Sequence, residues 1–152
     1  MAPAFDFAPV GAADFDALLA LRIATMRASL ERLGRFDPQR AAQRFRTTFR
    51  PADTRRIVVD GAPAGCVACW PEPVAALRIE HFYLAPDFQG RGLGSAVLQR
   101  LLNEAPPNVR LFRIGALRDS DANRFYRRHG FVPVSETEWD IAYERPHDPA
   151  AG

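Results

Sequence analysis

The first third of the chain carries the apolar repeat of helices. From Phe15 onward, apolar residues recur at steps of three and four, which places them on one face of a helix. The repeat stops near Gly34, a residue that suits a helix end. Asp37 followed by Pro38 is typical of an N-cap and a first helical turn, and it predicts a second helix. Because residues 5–10 alternate weakly, we expect a short edge strand before both helices.

The middle of the chain consists of short runs rich in β-branched and aromatic residues. Two of these runs meet at Asp60 and Gly61, a dipeptide favoured in tight hairpin turns, although Pro63 leaves the loop length open. A third run covers residues 76–84. The pattern therefore predicts three consecutive strands.

A helix and a strand are expected next. Apolar residues from Leu93 recur at helical spacing and stop before Pro106. Residues 109–117 then have the composition of a strand. Together with the run at residues 76–84, they form a strand–helix–strand unit, which implies a parallel pair with a right-handed crossover.

The last part of the chain predicts a short helix and two strands. Residues 121–129 suit a helix that Asp119 or Ser120 caps. Gly130 is well placed to end this helix in a left-handed conformation. The two final strands are expected at residues 131–134 and 136–144.

The predicted elements follow the order β-α-α-β-β-β-α-β-α-β-β. We therefore predict the α/β (α+β) class, with a mixed, mostly antiparallel central sheet that contains one parallel strand pair and is flanked by about four helices. A length of 152 residues suits one core of ordinary size. We expect a single domain over residues 1–146 and a flexible C-terminal tail over residues 147–152.

Composition and charge exclude several classes of protein. The content of 47% hydrophobic and 25% charged residues is that of a globular protein, and no apolar run approaches the roughly 20 residues of a membrane span. The N-terminus has no basic segment followed by an apolar one, which favours the cytoplasm. A net charge of +2 is too small to indicate nucleic-acid binding.

Two residue types limit the chemistry. The sequence contains no lysine, so all 20 basic residues are arginine, and Schiff-base chemistry is excluded. Cys66 and Cys69 form a C-x-x-C pair, but residues three apart on a strand point to opposite faces. No second cysteine pair or nearby histidine completes a zinc set. We expect buried structural thiols and no metal, with a redox or metal pair as the alternative.

Three glycines, Gly90, Gly92 and Gly94, lie within five residues between a strand and a helix. Such a turn exposes the first unpaired N–H groups of the helix, which bind phosphate oxygens. A dinucleotide fold would need a further glycine or alanine where Ser95 stands, and a P-loop needs a lysine that this sequence lacks. An anion-binding turn of another type and a purely structural turn both remain open.

Two segments together resemble the GNAT superfamily of N-acetyltransferases. QGRGLG, residues 89–94, is similar to the Q/R-x-x-G-x-G/A loop that binds the acetyl-CoA pyrophosphate in that family. NRFYRRHGF, residues 123–131, resembles a later family segment in which an asparagine precedes Phe-Tyr and Gly-Phe pairs. The two segments have the family order and are separated by one strand. The resemblance covers residues 79–134.

The resemblance implies that acetyl-CoA is the acyl-donor cosubstrate. In the family, the strand before the loop splays from the next parallel strand, and the pantetheine arm lies in the gap. This implies main-chain bonds from Phe82, Tyr83 and Leu84. The side chain of Arg91 either adds charge or is solvated. Main-chain N–H groups of the loop would hold the pyrophosphate; these belong to Gln89, Gly90, Arg91, Gly92, Leu93, Gly94 and Ser95.

The resemblance also implies catalytic roles. Tyr126 is similar to the family tyrosine that protonates the departing thiolate, with a packed core aromatic as the alternative. Asn123, on the same helical face, would bond to the cofactor, with a solvent-facing or capping amide as the alternative. Glu80 resembles the base of some family members, with a salt-bridge partner or a solvated residue as alternatives. We choose the Leu84 N–H as the donor to the developing oxyanion.

These residues predict an N-acetyltransferase that moves an acetyl group from acetyl-CoA to a primary amine by direct attack. The amine belongs to a small molecule, an amino acid, or a protein N-terminus or side chain. The alternatives are a non-catalytic acyl-CoA-binding or sensing module, and an acyltransferase with another acyl chain or acceptor. We expect no nucleic-acid or membrane partner, and we leave a homodimer open. The acceptor specificity is expected in the first two helices and the closing strands.

Overall fold

The computed structural model describes residues 2–149 of the chain. Its helices are α1 (Phe15–Arg32), α2 (Pro38–Thr48), α3 (Leu93–Asn103) and α4 (Ala122–Arg128). Its strands are β1 (Asp6–Pro9), β2 (Thr54–Val59), β3 (Ala62–Glu72), β4 (Ala76–Leu84), β5 (Leu111–Leu117), β6 (Val132–Glu136) and β7 (Asp140–Pro146). Within the described range, no helix combines the length and the apolar character needed to cross a membrane.

The strands form one seven-stranded sheet in the order β1-β2-β3-β4-β5-β7-β6. Strands β4 and β5 form a parallel pair, which covers Ala76–Arg78 opposite Leu111–Arg113. The neighbours β1–β2, β2–β3, β5–β7 and β6–β7 are antiparallel. The predicted mixed sheet with one parallel pair and four helices is therefore confirmed.

The chain divides into two compact units. The first contains the residues up to Ala68 together with His81–Gly94, and the second contains Cys69–Glu80 together with the residues from Ser95 onward. Strands β3 and β4 contribute residues to both units. Both units contain buried apolar side chains.

Aromatic packing joins the two helices of the first unit. The ring of Phe15 on α1 lies 5.3 Å from that of Phe45 on α2 and 5.6 Å from that of Phe49, measured between centroids. Leu18 and Cys66 are buried with Phe45, and Phe15 and Leu19 pack against them, so the first half of the apolar stripe of α1 faces the core as its spacing predicts. Asp37 accepts hydrogen bonds from the main-chain N–H groups of residues 39 and 40, and the predicted N-cap of α2 is confirmed.

The hairpin between β2 and β3 turns on two residues with left-handed backbones. Asp60 has φ 51° and Gly61 has φ 78°, as a two-residue type I′ turn requires. The pairing shifts register at Val58, which lies opposite Pro63 while Ile57 lies opposite Gly65. Pro63 thus lies inside β3 near a bulge. The loop length, which the sequence left open, is two residues, because Val59 pairs with Ala62.

Charged residues connect the strands of the second unit. Glu72 on β3 pairs with Arg78 on β4 and with Arg113 on β5, each at 3.3 Å. Arg113 also pairs with Glu144 on β7 at 3.2 Å. The two carboxylates raise the pKa of the Arg113 guanidinium, chiefly by hydrogen bonding.

The end of the chain differs in detail from the sequence prediction. The last strand starts at Asp140 instead of residue 136, because the Thr137 hydroxyl accepts hydrogen bonds from the N–H groups of Trp139 and Asp140 and closes a turn there. His147, the first residue of the predicted tail, donates its N–H to the Arg110 carbonyl at 2.9 Å. Residues 150–152 of that tail lie outside the described residues.

Gly65 on β3 allows a close approach to β4. A Cβ added there would collide with the Tyr83 carbonyl oxygen and lie 3.1 Å from the Leu84 Cα, and neither backbone atom can move cheaply. We expect Gly65→Ala to lower the free energy of unfolding by about 1–3 kcal/mol, as overpacking does. Urea unfolding measures this loss. Gly11→Ala is the control, because its Cβ meets nothing within 4 Å; equal losses in both variants would contradict the prediction.

Candidate active site

The predicted site residues are distributed over both units. The first unit contains the end of β4 and the glycine turn, and the second contains Glu80, Ser95, Asn123 and Tyr126.

The glycine turn lies between β4 and α3, as its sequence predicts, and two of its glycines have left-handed backbones. Gly90 and Gly92 have φ values of 75° and 79°, a left-handed region that residues with side chains resist. Helix α3 begins directly afterwards at Leu93, whose side chain is fully buried. The first four N–H groups of an α-helix have no intrahelical partner, so the turn leads into a row of donors.

The space around the turn fits an anion. Among residues 2–149, a Cβ at Gly90 would meet nothing within 4 Å, and a Cβ at Gly92 would meet only Ala2, at 3.5 Å. Gln89 ties the turn to β4, because its side-chain amide donates to the Leu84 carbonyl at 2.9 Å. The Arg91 guanidinium lies over the Phe88 ring, 5.6 Å from its centroid. Gln89 therefore anchors the turn to β4, while the space beside Gly90 and Gly92 has no tight contact with the described residues.

An unusual residue interrupts β4 ahead of this turn. His81 has φ 48°, a left-handed conformation inside an otherwise extended strand, and its side chain is 5% exposed. Its ring meets the Phe45 ring edge-on at 5.0 Å. The Cys66 thiol donates to the His81 carbonyl at 3.3 Å. Both the side chain and the main chain of His81 therefore contact neighbouring elements.

Arg22 on α1 joins His81 to Tyr83. Its Nη1 donates to the Tyr83 hydroxyl at 2.6 Å and lies 3.3 Å from His81 Nδ1, which in turn lies 3.1 Å from the same hydroxyl. Arginine only donates, so Nδ1 must carry the lone pair. Tyr83 then donates its own proton to Nδ1, and the proton of the neutral His81 ring lies on Nε2.

Burial keeps the His81 ring neutral. Desolvation, followed by the charge of Arg22, lowers its pKa from 6.5 to about 4. The Thr48 backbone raises the pKa of His81, but this is the smallest of the three effects. Nε2 of His81 has no hydrogen-bond partner within bonding distance in the described structure. Burial also raises the pKa of the Cys66 thiol to about 12, which leaves Cys66 unreactive at neutral pH.

A small cavity lies beneath α1 in the first unit. Its volume is about 190 Å³, and one side is formed by Ala85, the residue that follows β4. Helix α1 forms another side, so the cavity adjoins both the end of β4 and the helix that carries Arg22. The other lining residues are mainly apolar: Ala17, Leu18, Leu21, Arg56, Pro63 and Gly65.

In the second unit, Asn123 holds the start of α4. Its Nδ2 donates to the Leu117 carbonyl at 2.8 Å and to the Ser120 carbonyl at 2.9 Å, and its Oδ1 accepts from the Tyr143 hydroxyl at 2.7 Å. The predicted cap is wrong, because the N-cap is Asp121 and its side chain makes no capping bond. The Asn123 amide instead links the first turn of α4 to the carbonyls that precede the helix and to Tyr143 on β7.

Tyr126 is the buried residue of α4. It is 5% exposed, and its ring lies 5.8 Å from that of Phe131 and 6.1 Å from that of Tyr143. The Phe131 N–H donates to the Tyr126 carbonyl at 3.1 Å, across the left-handed Gly130 with φ 85°. This bond and the left-handed Gly130 are features of a Schellman motif at the end of α4. The prediction that Gly130 ends this helix in a left-handed conformation is therefore confirmed.

Two further predicted residues lie in the second unit. Ser95, in the first turn of α3, has its hydroxyl 3.0 Å from Nε2 of His129. Burial and then the charges of Arg128 and Arg145 lower the pKa of His129, so its ring is neutral at pH 7. Glu80 is half-buried on β4, one residue before the His81 kink.

Arg22 was absent from the sequence-based candidates. It lies four residues after Leu18 and so on the buried face of α1. A charged residue inside an apolar helical stripe is the signal that identifies it. The partners 59 and 61 residues away have no local signature in the sequence.

Comparison with known proteins identifies the family. The GNAT acetyltransferase domain model matches residues 53–133, more than half of the chain. The chain therefore belongs to the GNAT acetyltransferase family, and it is an acyltransferase. The predicted family and class of enzyme are confirmed. No curated protein matches the chain.

Solved structures show the same fold. An acetyltransferase from Thermus thermophilus has a TM-score of 0.71 at 21% identity, over 94% of this chain and 97% of that one. Ard1 from Thermoplasma volcanium has a TM-score of 0.67 at 19% identity, over 95% and 99%. The PaiA N-acetyltransferase from Thermoplasma acidophilum, solved with coenzyme A, has a TM-score of 0.69 at 12% identity, over 95% and 99%.

The lowered pKa of His81 predicts a stability that depends on pH. The unfolded chain takes up this proton near pH 6.5 and the folded chain only near pH 4. The stabilisation from neutral His81 is thus fully present above pH 6.5 and is lost as the pH falls to about 4, in total by about 3 kcal/mol.

Urea unfolding at pH 7 and pH 5 tests this dependence. His81→Asn removes the titration and keeps a residue that tolerates positive φ. Between these pH values, the wild type should lose about 2 kcal/mol more than the variant. Equal losses would show that His81 does not titrate as its burial requires.

Proposed function

We propose that the protein transfers an acetyl group from acetyl-CoA to a primary amine. The observation that carries this proposal is the left-handed turn at Gly90 and Gly92, which opens into the N-terminus of α3. Its main-chain N–H groups from Gln89 to Ser95 are suited to a pyrophosphate. The coenzyme A bound to the PaiA N-acetyltransferase, which shares the fold, supports the same ligand here.

The end of β4 is proposed to bind the donor substrate. Main-chain groups of Phe82, Tyr83 and Leu84 would bond to the pantetheine arm, with the Leu84 N–H aimed at the thioester oxygen. The short parallel pairing of β4 with β5, three residues long, supports this proposal. When bound, acetyl-CoA supplies an activated acetyl group that an amine attacks directly.

Two side chains are proposed to move protons. Glu80 would take a proton from the acceptor amine, directly or through water, because an ammonium with a pKa near 10.4 has no lone pair for attack. Tyr126 would protonate the departing thiolate. Its ring has a fixed position among aromatic neighbours, which supports the precise delivery of a proton.

Asn123 supports Tyr126 in this proposal. Its Nδ2 is occupied by the Leu117 and Ser120 carbonyls, so a bond to the cofactor is left to the lone pair of Oδ1 that Tyr143 does not use. Its main effect is to hold α4, and with it Tyr126, against the end of β5.

A thermal-shift experiment tests the cofactor site. Acetyl-CoA at one hundred times its Kd should stabilise the wild type by about 2.7 kcal/mol. Gly92→Glu should abolish the shift, because it adds bulk and negative charge at the pyrophosphate. Gly61→Glu is the control, because Gly61 has nearly the same φ, 78°. As at Gly92, a Cβ at Gly61 would make no contact shorter than 3.4 Å with the described residues, so neither position is tightly packed.

The two glycine variants separate strain from ligand loss. Both should lower the melting temperature of the free protein, and only Gly61→Glu should keep the acetyl-CoA shift. A wild-type melting curve that millimolar acetyl-CoA leaves unchanged would refute the cofactor site.

Tyr126→Phe tests the general acid. The variant should keep the acetyl-CoA thermal shift, because the ring still fills its pocket, while kcat for thiol release falls by about 10²-fold. Turnover at the wild-type rate would remove Tyr126 from the mechanism. Acetyl-CoA binding without turnover of any amine in the wild type would favour the non-catalytic binding module.

A further inference from the structure

Arg22 is a half-buried cation without an acidic partner among residues 2–149. Its recorded partners are the Tyr83 hydroxyl, His81 Nδ1 and the rings of Phe45 and Tyr83, whose centroids both lie 5.9 Å from the guanidinium carbon. All of these groups are neutral. Burying a charge without a counter-charge is costly, so a position of this kind calls for an anion.

The guanidinium keeps donors for such an anion. Both hydrogen bonds recorded for the Arg22 side chain use Nη1. In the described structure, therefore, Nε and Nη2 have no protein acceptor. These two nitrogens form the fork that binds a carboxylate through two parallel hydrogen bonds.

The neighbours of Arg22 fix its position and supply no negative charge. The bond to Tyr83 anchors one nitrogen at 2.6 Å. His81 is neutral and buried, so it cannot serve as the counter-ion. The surrounding helices strengthen the positive field, since residues 15–48 contain seven arginines and three acidic residues.

We propose that Arg22 binds a carboxylate of the acceptor, so that the substrates are amines that carry a carboxylate. This inference rests on the proposed acetyl transfer. Tyr83, which anchors Arg22, directly precedes Leu84, whose N–H is the proposed donor to the thioester oxygen. An acceptor bound at Arg22 would thus present its amine at the end of β4.

The same charge distribution disfavours polyamine acceptors. A second ammonium group near Arg22 would be repelled by the guanidinium and by the positive field of the two helices. Specificity in this proposal comes from both an attraction and a repulsion.

A series of paired acceptors tests the inference. Glycine, β-alanine and 4-aminobutanoate differ in the spacing between amine and carboxylate, and the methyl ester of each removes the charge alone. At least one acid of the series should have a kcat/KM about 10- to 100-fold above that of its ester. Two dipeptides with a free N-terminal amine and an amidated C-terminus, one with aspartate and one with asparagine in the second position, distinguish a peptide acceptor from a free amino acid. A preference for the aspartate peptide would indicate a peptide acceptor.

Variants assign the preference to one side chain. Arg22→Gln should lower kcat/KM for the preferred acid to that of its ester, because any loss from the altered packing of His81 and Tyr83 is shared by both acceptors. Arg22→Lys should recover only part of the loss, because an ammonium cannot form the fork. Arg32→Gln is the matched control on the same helix, since its side chain is exposed and bonds to Ser29.

Binding in the presence of coenzyme A separates the two proposals. Calorimetry should detect the acid and not the ester in the wild type, with loss of binding in Arg22→Gln, whether or not turnover occurs. Equal kcat/KM for acid and ester, or equal effects of Arg22→Gln and Arg32→Gln, would overturn the inference and leave acetyl transfer intact. Absence of any acetyl-CoA thermal shift would instead refute the proposed function.

Discussion

The left-handed backbone of His81 is the constraint on which the first unit depends. An L-residue with φ 48° in a strand carries a local cost, which only surrounding contacts can offset. Phe45 from α2, Arg22 from α1 and the thiol of Cys66 from β3 all contact this residue. Helices that are distant in sequence thereby hold the strand in the conformation that leads to Leu84 and the glycine turn.

Local rules predicted the elements well and the cluster around His81 not at all. The Asp60-Gly61 turn, the N-cap at Asp37 and the helix end at Gly130 are encoded by adjacent residues, and each appears in the structure. The kink of His81 is not a local preference. It depends on partners from 15 to 59 residues away, and only the position of Arg22 in an apolar stripe hinted at them.

The site follows the same division. The three clustered glycines were sufficient to predict a turn ahead of a helix, and the left-handed backbones of Gly90 and Gly92 explain why glycine is needed there. The use of Asn123 was not predictable, since its partners Leu117, Ser120 and Tyr143 are defined by how α4 meets the sheet. The segment that resembles a catalytic signature is thus also a folding unit, closed by the pairing of Tyr126 with Phe131.

The ion pairs of the second unit have a consequence for an enzyme that handles an activated acyl donor. A thioester modifies the ε-amino group of lysine and removes its charge, whereas a guanidinium remains protonated. Because the sequence has no lysine, the cations in these pairs are arginines: Arg78 pairs with Glu72, and Arg113 bridges Glu72 and Glu144. Exposure to a reactive thioester therefore leaves in place the charges that join the strands of the second unit.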